Sequence, residues 1–249
     1  MKHGLSKIFV GVLLTAGLFK ACTPEPTAQT IVDQAIEEHG GRLYDAVRVA
    51  FDFRDRHYVL IQEGGKFQYE RHFKDSTGAI KDVLTNEGFT RFLNSVDITD
   101  TVKKVAAYTR SVNSVAYFAL LPYRLNDPAV RKELLGTVQI KDQSYYKIRV
   151  TFQQEGGGED FEDQFIYWIH QEQHTMDYLA YLYYTDGGGI RFRAPYNQRV
   201  INGLRFADYE NYKEVKSETP LEDYDGLYEH NELELLSRIE LKNIQVEPL

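Results

Sequence analysis

The stretch from Phe165 to Tyr184, FIYWIHQEQHTMDYLAYLYY, reads as two strands joined by a short polar turn, with apolar and aromatic side chains on both faces of the pleat. Successive strand residues point to opposite sides, so Phe165, Tyr167 and Ile169 share one face while Ile166, Trp168 and His170 share the other. In the second half Leu179, Tyr181 and Tyr183 oppose Tyr178, Ala180, Leu182 and Tyr184. An antiparallel sheet that meets water needs one polar face, and here neither face is polar. That predicts helices over one face and a second core or a cavity against the other.

More strands of the same kind surround this pair. Strand patterns cover Val47 to Phe53, Ile80 to Leu84, Phe89 to Leu93, Thr137 to Ile140, Tyr145 to Gln153, Ile190 to Pro195 and Gln198 to Tyr209. A hairpin from Asp55 to Phe73 turns on Gly64-Gly65, a register that pairs Tyr58 with Arg71, Leu60 with Tyr69, Gln62 with Phe67 and His57 with His72. Turn signals fall at Gly156-Gly157-Gly158, Asp186 to Gly189 and Asn202-Gly203. Residues 215 to 231 read as a long acidic loop, and Leu233 to Ile239 as a last strand or a helix. About ten or eleven strands are more than a flat open sheet tolerates, so the sheet should curl.

Two helices complete the reading. Thr30 is placed to cap one with Val32, Ala35 and Ile36 on a single face, ended by Gly40 and Gly41. The other, Thr101 to Leu121, starts amphipathic through Val102, Val105, Thr109 and Val112 and then turns apolar nearly all round, which predicts burial between layers. Arg110, Asn113 and Ser114 argue against a membrane span. The fold class is therefore α+β, mainly β: a large curled antiparallel sheet, or half-barrel, with one long buried helix and an N-terminal helix against it.

The N-terminus carries an address. Lys2 and Lys7 precede an apolar run from Ile8 to Phe19, too short to cross a bilayer comfortably, and the run ends at Ala21-Cys22. Cys22 is the only cysteine, so no disulfide is available, and it is followed by a flexible Thr23 to Gln29 segment. This resembles a bacterial lipoprotein processing site, although Phe19 and Lys20 depart from its usual residues. The resemblance implies a signal peptide over 1–21, acylation of Cys22, a tether over 22–29, a single domain over 30–249, and an envelope protein held at the outer membrane by its acyl chains. Removing residues 1–21 takes away three lysines and no acids, leaving 26 basic against 37 acidic residues, a net of −11. So acidic a chain without basic clusters is a poor partner for nucleic acid.

Motifs for chemistry are weak. His57 with His72, and His170 with His174, are candidate metal pairs, but zinc needs three or four converging ligands and the four read better as surface histidines. The acids Glu155, Glu159, Asp160, Glu162 and Asp163 around the triple glycine do not have EF-hand spacing and read as a solvated hairpin tip. No nucleophile elbow, Walker loop or paired-cysteine motif is present, and neither a catalytic residue nor a cofactor is assigned. A Schiff-base aldolase would call for a (β/α)₈ barrel, which a run of hairpins does not make.

Two stretches, Ala35 to Gly41 and Tyr196 to Phe206, resemble the superfamily of lipoprotein-sorting and outer-membrane lipoprotein receptor proteins. Ser111 to Val115 with Tyr117-Phe118, Leu121-Pro122, Leu125 to Ala129, Gly156 to Phe161, Tyr167-Trp168, Asp177 to Tyr181 and Arg191 to Arg193 are similar to an uncharacterised family of envelope lipoproteins from Bacteroidota-type bacteria. The resemblance implies a half-barrel whose concave face takes acyl chains or other apolar ligands, and brings no established activity.

The remaining constellation is aromatic plus arginine: Tyr58, Tyr69, Arg71, Tyr117, Trp168, Tyr181, Arg191 and Arg193. Arginine stacks on rings and clamps a carboxylate or phosphate in a fork, so this set suits an amphiphile with an anionic head. The same arginines would equally serve as structural partners of Asp52, Asp177 and other acids. The sequence thus points to a lipid-anchored protein binding an apolar or amphiphilic ligand. The alternatives are a small envelope hydrolase or isomerase working at the cavity mouth, and an interaction lipoprotein without a ligand.

Overall fold

The computed structural model describes residues 25–158, 160–215 and 219–249. The signal peptide, Cys22 and the start of the tether lie outside the described residues. Helix α1 (Ala28–His39) leads through a 3₁₀ turn (Gly41–Asp45) into β1 (Ala46–Phe53), β2 (Arg56–Glu63), β3 (Lys66–Asp75), β4 (Gly78–Thr85), β5 (Gly88–Leu93) and β6 (Val96–Asp97). After α2 (Val105–Ala119) come β7 (Val130–Ile140), β8 (Gln143–Phe152), β9 (Gln164–His170), β10 (Met176–Tyr183), β11 (Gly189–Ile201) and β12 (Leu204–Glu214). The short α3 (Tyr224–Glu229), β13 (Leu233–Ile239) and β14 (Leu241–Pro248) close the chain.

The strands form two antiparallel seven-stranded sheets, ordered β14-β1-β2-β3-β4-β5-β6 and β13-β12-β11-β10-β9-β8-β7. β14 belongs to the first sheet and also touches β11 and β12 of the second, so the sheets meet along it. The result is an open, curled half-barrel, as the strand count requires. The Gly64-Gly65 hairpin has the predicted register, with Tyr58 opposite Arg71, Leu60 opposite Tyr69, Gln62 opposite Phe67 and His57 opposite His72.

Several elements differ from the sequence reading for local reasons. The cap of α1 is Thr27, whose side chain accepts from the Thr30 N–H while the Thr30 hydroxyl accepts from the Thr27 N–H; Thr30 is the reciprocal partner of the box. α2 begins at Val105, because Asp97 accepts from both the N–H and the hydroxyl of Thr99 and fixes a 3₁₀ turn over Thr99–Thr101. β7 starts before Gly136 rather than after it, since that glycine sits in a bulge opposite Lys147. β14 goes unread because its apolar residues Leu241, Ile244 and Val246 do not alternate and Val246 alone is deeply buried; backbone pairing with β1 makes it a strand. Residues 221–229 are not loop but a 3₁₀ turn and α3.

Both faces of the β9–β10 pair are used. On the concave side Phe165, Tyr167, Ile169 and Leu179 pack with Ile31, Val32 and Ala35 of α1 and with Leu121 and Leu125 after α2. On the convex side Ile166, Trp168, Tyr178 and Ala180 pack with Phe192 under Leu221 and Tyr224. The first sheet has its own core, Phe51, Tyr58, Leu60 and Tyr69 against Val112 and Ala116 of α2 and the Leu120 that follows it. The burial of α2 is a stripe of Val112 and Ala116, continued by Leu120 at its end, with Asn113 and Ser114 exposed on the other side. Among the described residues no helix is long and apolar enough to cross a membrane.

Candidate functional site

The concave face of the second sheet is laid out in rungs. Val150, Phe165, Tyr181 and Arg191 stand side by side on β8, β9, β10 and β11; the next rung is Ile148, Tyr167, Leu179, Arg193 and Asn211. α2 crosses above them with Tyr117 and Phe118 pointing at the rungs. The Tyr117 and Tyr167 hydroxyls meet at 2.8 Å, and Phe118 lies tilted against Phe165 and Tyr181 with ring centroids 6.2 and 5.2 Å away. Burial pushes both phenols upward, so they stay neutral hydrogen-bonding groups.

α2 does not fill the concavity, and two adjoining cavities remain. The larger, about 490 Å³, runs from Asn113, Ser114 and Tyr117 past Phe152 and Phe165 to Tyr181, Tyr183, Arg191 and Arg193. The smaller, about 230 Å³, is walled by Phe53, Val115, Ala119, Leu179, Ile239 and Leu241. Ser114, Phe118, Tyr181 and Arg193 border both. An open groove of about 610 Å³ among His72, Lys74, Lys81 and Phe92 is bordered by strands and turns of the first sheet alone, with no helix closing over it.

Arg193 is the charged centre of the arrangement. It is only 8% exposed, its Nη2 donates to the Tyr181 hydroxyl at 3.0 Å, and its Cζ lies 3.9 Å from the Phe118 ring centroid and 5.0 Å from that of Tyr181. Its Nε is buried without a hydrogen-bond partner among the described residues. Arg191, one rung outward, donates to its neighbour's carbonyl at Ile190 and to the Tyr183 hydroxyl. At the mouth, Arg124 pairs with Asp127 and also donates to the Tyr69 hydroxyl at 3.0 Å. Asp163 is pushed up to about 6, first by burial and then by the neighbouring Asp160 and Glu162, with a backbone hydrogen bond from Tyr184 offsetting part of the rise.

The eight residues predicted to bind ligand therefore divide. Tyr117, Tyr181, Arg191 and Arg193 come together on the larger cavity. Tyr58, Tyr69 and Arg71 do not reach it: Tyr58 stacks on Phe51, Tyr69 stacks on Phe67, and Arg71 is 1% exposed with its guanidinium on Asp82 at 2.6 and 2.8 Å and on the Ser111 hydroxyl at 2.7 Å. That trio belongs to the first-sheet core and holds α2 in place. Trp168 lies on the other side of the second sheet, fully buried beside Phe192, because odd and even residues of β9 face opposite ways. Asp52 and Asp177, named as possible arginine partners, are instead engaged by His57 and Asn243, and by Tyr145 and Gln198.

Residues passed over in the sequence also line the site. Phe118, Ser114 and Tyr183 follow from their neighbours once the helix face and strand register are known. The acidic cluster is not a solvated tip throughout, since Asp160 and Asp163 turn in to the cavity mouth. His170 is buried rather than superficial: its Nδ1 accepts from the N–H groups of Glu172 and Gln173 and so folds the β9–β10 turn. His57 and His72 each face a carboxylate at 2.7 Å, Asp52 and Glu70. Among the described residues no three His, Cys, Asp or Glu side chains converge as a metal site needs.

Residues 6–241 match a single family model, described as a family of unknown function, DUF6503. The chain belongs to this family. No curated protein matches the DUF6503 chain in sequence. Its fold is similar to that of a LolA superfamily protein from Nitrosomonas europaea, at TM-score 0.53 and 14% identity over 90% of this chain and 95% of that one. A DUF1329 family protein from Desulfovibrio piger aligns at TM-score 0.49 and 10% identity, over 88% of this chain and 92% of the other. A putative outer membrane lipoprotein-sorting protein domain from Vibrio parahaemolyticus aligns at 0.38 and 6%, over 88% and 93%. The first likeness establishes that this DUF6503 chain has the LolA-type half-barrel fold.

Proposed function

We propose that this DUF6503 protein is a lipid-anchored envelope protein that binds an apolar or amphiphilic ligand between α2 and its second sheet. The observation that carries the reading is the pair of adjoining cavities left open under the helix, walled by Tyr117, Phe118, Phe165, Leu179 and Tyr181. The larger chamber sets these rings beside Asn113, Asp163, Arg191 and Arg193, a mixed lining that suits an amphiphile, and its volume of about 490 Å³ falls within the range of small-molecule sites. The LolA-type fold supports the same reading by placing a curled sheet around a helix-covered concavity. Acylation at Cys22 would hold the domain at a membrane, the outer membrane by the sorting logic of such lipoproteins.

Native mass spectrometry of the purified chain tests the ligand. A copurified lipid-sized adduct that disappears when Ser114→Trp fills the junction of the two cavities is the expected result. A bare protein that also fails to take up added fatty acid would defeat the reading. For the anchor, Cys22→Ser should move the protein from the membrane fraction to the soluble one.

A second reading has one observation of its own. Asp163, half-buried at the cavity mouth and held at about 6, has the pKa of a general acid or base, so a small hydrolase or isomerase working there remains the alternative. That reading requires a turnover lost in Asp163→Asn with ligand binding intact.

A further inference from the structure

Three arginines are buried among the described residues: Arg71, Arg91 and Arg193. Arg71 and Arg91 share the carboxylate of Asp82, with contacts of 2.6 to 2.9 Å. The half-buried Arg124 and Arg199 likewise have Asp127 and Asp208. Arg193 is the exception. It has no carboxylate partner among the described residues, one hydrogen bond to the Tyr181 hydroxyl, and an Nε without an acceptor. The faces of Phe118 and Tyr181 accommodate the cation but do not neutralise it. A buried guanidinium in that state is costly unless something anionic comes to it.

Its position says what that anion is attached to. Arg193 borders both cavities. On one side lies the larger chamber with Asn113, Arg124 and Asp163; on the other lies a smaller one walled mainly by Phe53, Val115, Leu179, Ile239 and Leu241, with Arg54, Asn211 and Ser237 completing its lining. Resting on the binding function above, we propose that Arg193 is the anion-recognition residue of the site and that the ligand is a single-chain amphiphile. Its carboxylate or phosphate head takes the guanidinium fork and its hydrocarbon lies in the smaller chamber. That chamber, about 230 Å³, has room for part of one chain and not for a second. Asp127, which lines the larger chamber, does not compete for this cation because it is committed to Arg124.

The test is a fluorescence titration of the purified full chain with cis-parinaric acid and, in parallel, its neutral methyl ester. The acid is expected to bind at least about tenfold more tightly than the ester, and Arg193→Met to remove that preference by weakening the acid about tenfold while leaving the ester within about twofold. Arg193→Lys, which keeps the charge and loses the fork, should fall between them. Displacement by palmitate or by lysophosphatidic acid tells carboxylate from phosphate heads. Equal binding of acid and ester by the wild-type chain, or a preference that survives Arg193→Met, overturns the proposal while leaving the cavity reading intact. Binding of neither probe overturns both. Should Arg193→Met lose its thermal unfolding transition, the wild-type comparison of acid with ester decides alone.

Discussion

Asp82 has no exposed surface and holds Arg71 and Arg91 at once, with Arg91 stacked 3.5 Å above Tyr108 and Arg71 bonded to Ser111, so the cluster ties α2 to β3, β4 and β5. Removing the shared carboxylate strands two buried cations. Asp82→Asn should therefore cost about 3–5 kcal/mol by urea denaturation, far more than an exposed ion pair is worth. Acid acts on single residues in opposite directions. Glu70, hydrogen-bonded to His72 and Lys81, is held down to about 2, and burial lowers His39 to about 4. For both, the folded pKa is depressed, so their contribution is present above the unfolded values of 4.5 and 6.5 and is lost as pH falls through that window. Asp163 is the reverse: its folded pKa of about 6 exceeds the unfolded 3.8, so the native state binds the proton more tightly and gains stability as pH falls from about 6 toward 4. The stability difference between the wild-type chain and Asp163→Asn should shift in favour of the wild type over that interval. A difference independent of pH would show that the carboxyl is not desolvated.

Among the elements, the join between α1 and the β11–β12 turn depends on absent side chains. Gly40, at φ +140°, faces Leu204 and the Gly203 carbonyl so closely that a Cβ has no room, and a Cβ on Gly203 would strike Leu43. Asn202 in the same turn donates to the Val246 carbonyl at 2.8 Å, which brings β14 into the join. Gly40→Ala should cost about 2–4 kcal/mol through strain and overlap. Gly64→Ala, at φ +56° with open space around it, should cost about 1 kcal/mol. Equal losses in the two would mean that backbone strain alone matters at Gly40. The two sequence stretches that resembled lipoprotein-sorting proteins, Ala35 to Gly41 and Tyr196 to Phe206, are the two sides of this contact. They were legible because glycine at a helix stop and an Asn-Gly turn leave local marks, whereas their meeting in space left none. Alternation likewise separates Trp168 from Tyr167 and Tyr181 from Leu182 within each strand, but it does not show that Trp168 and Tyr181, placed together in the sequence reading, lie on opposite faces. It could not say that Tyr181 stands beside Arg191, because that depends on the register across β10 and β11. β14 and α3 are illegible for a related reason: one is a strand without apolar alternation held by backbone pairing, the other a short helix in an acidic segment whose burial rests on Leu221 and Tyr224.

For the molecule as a whole, two curled sheets share one helix, and that helix is anchored to them unequally. Toward the first sheet α2 buries Val112 and Ala116 and is held by Arg71; toward the second it offers Tyr117 and Phe118 and leaves open space around Arg193. The aromatic excess of the chain follows from this plan, since rings must fill a first-sheet core, a concave wall and a convex layer beneath α3. The arginines seen in the sequence fall on both sides of the division. Arg71 is structural because Asp82 answers it, and Arg193 is available because no carboxylate among the described residues does. The central claim is that an apolar chain occupies the space beneath α2. Photo-cross-linking with a diazirine-bearing fatty acid, followed by mass-spectrometric mapping of the labelled residues, tests it most directly. Saturable labelling at Val115, Phe118, Leu179 and Leu241 is the predicted result; labelling confined to the outer groove at His72 and Phe92, or to the exposed Leu235 and Leu236, would contradict it.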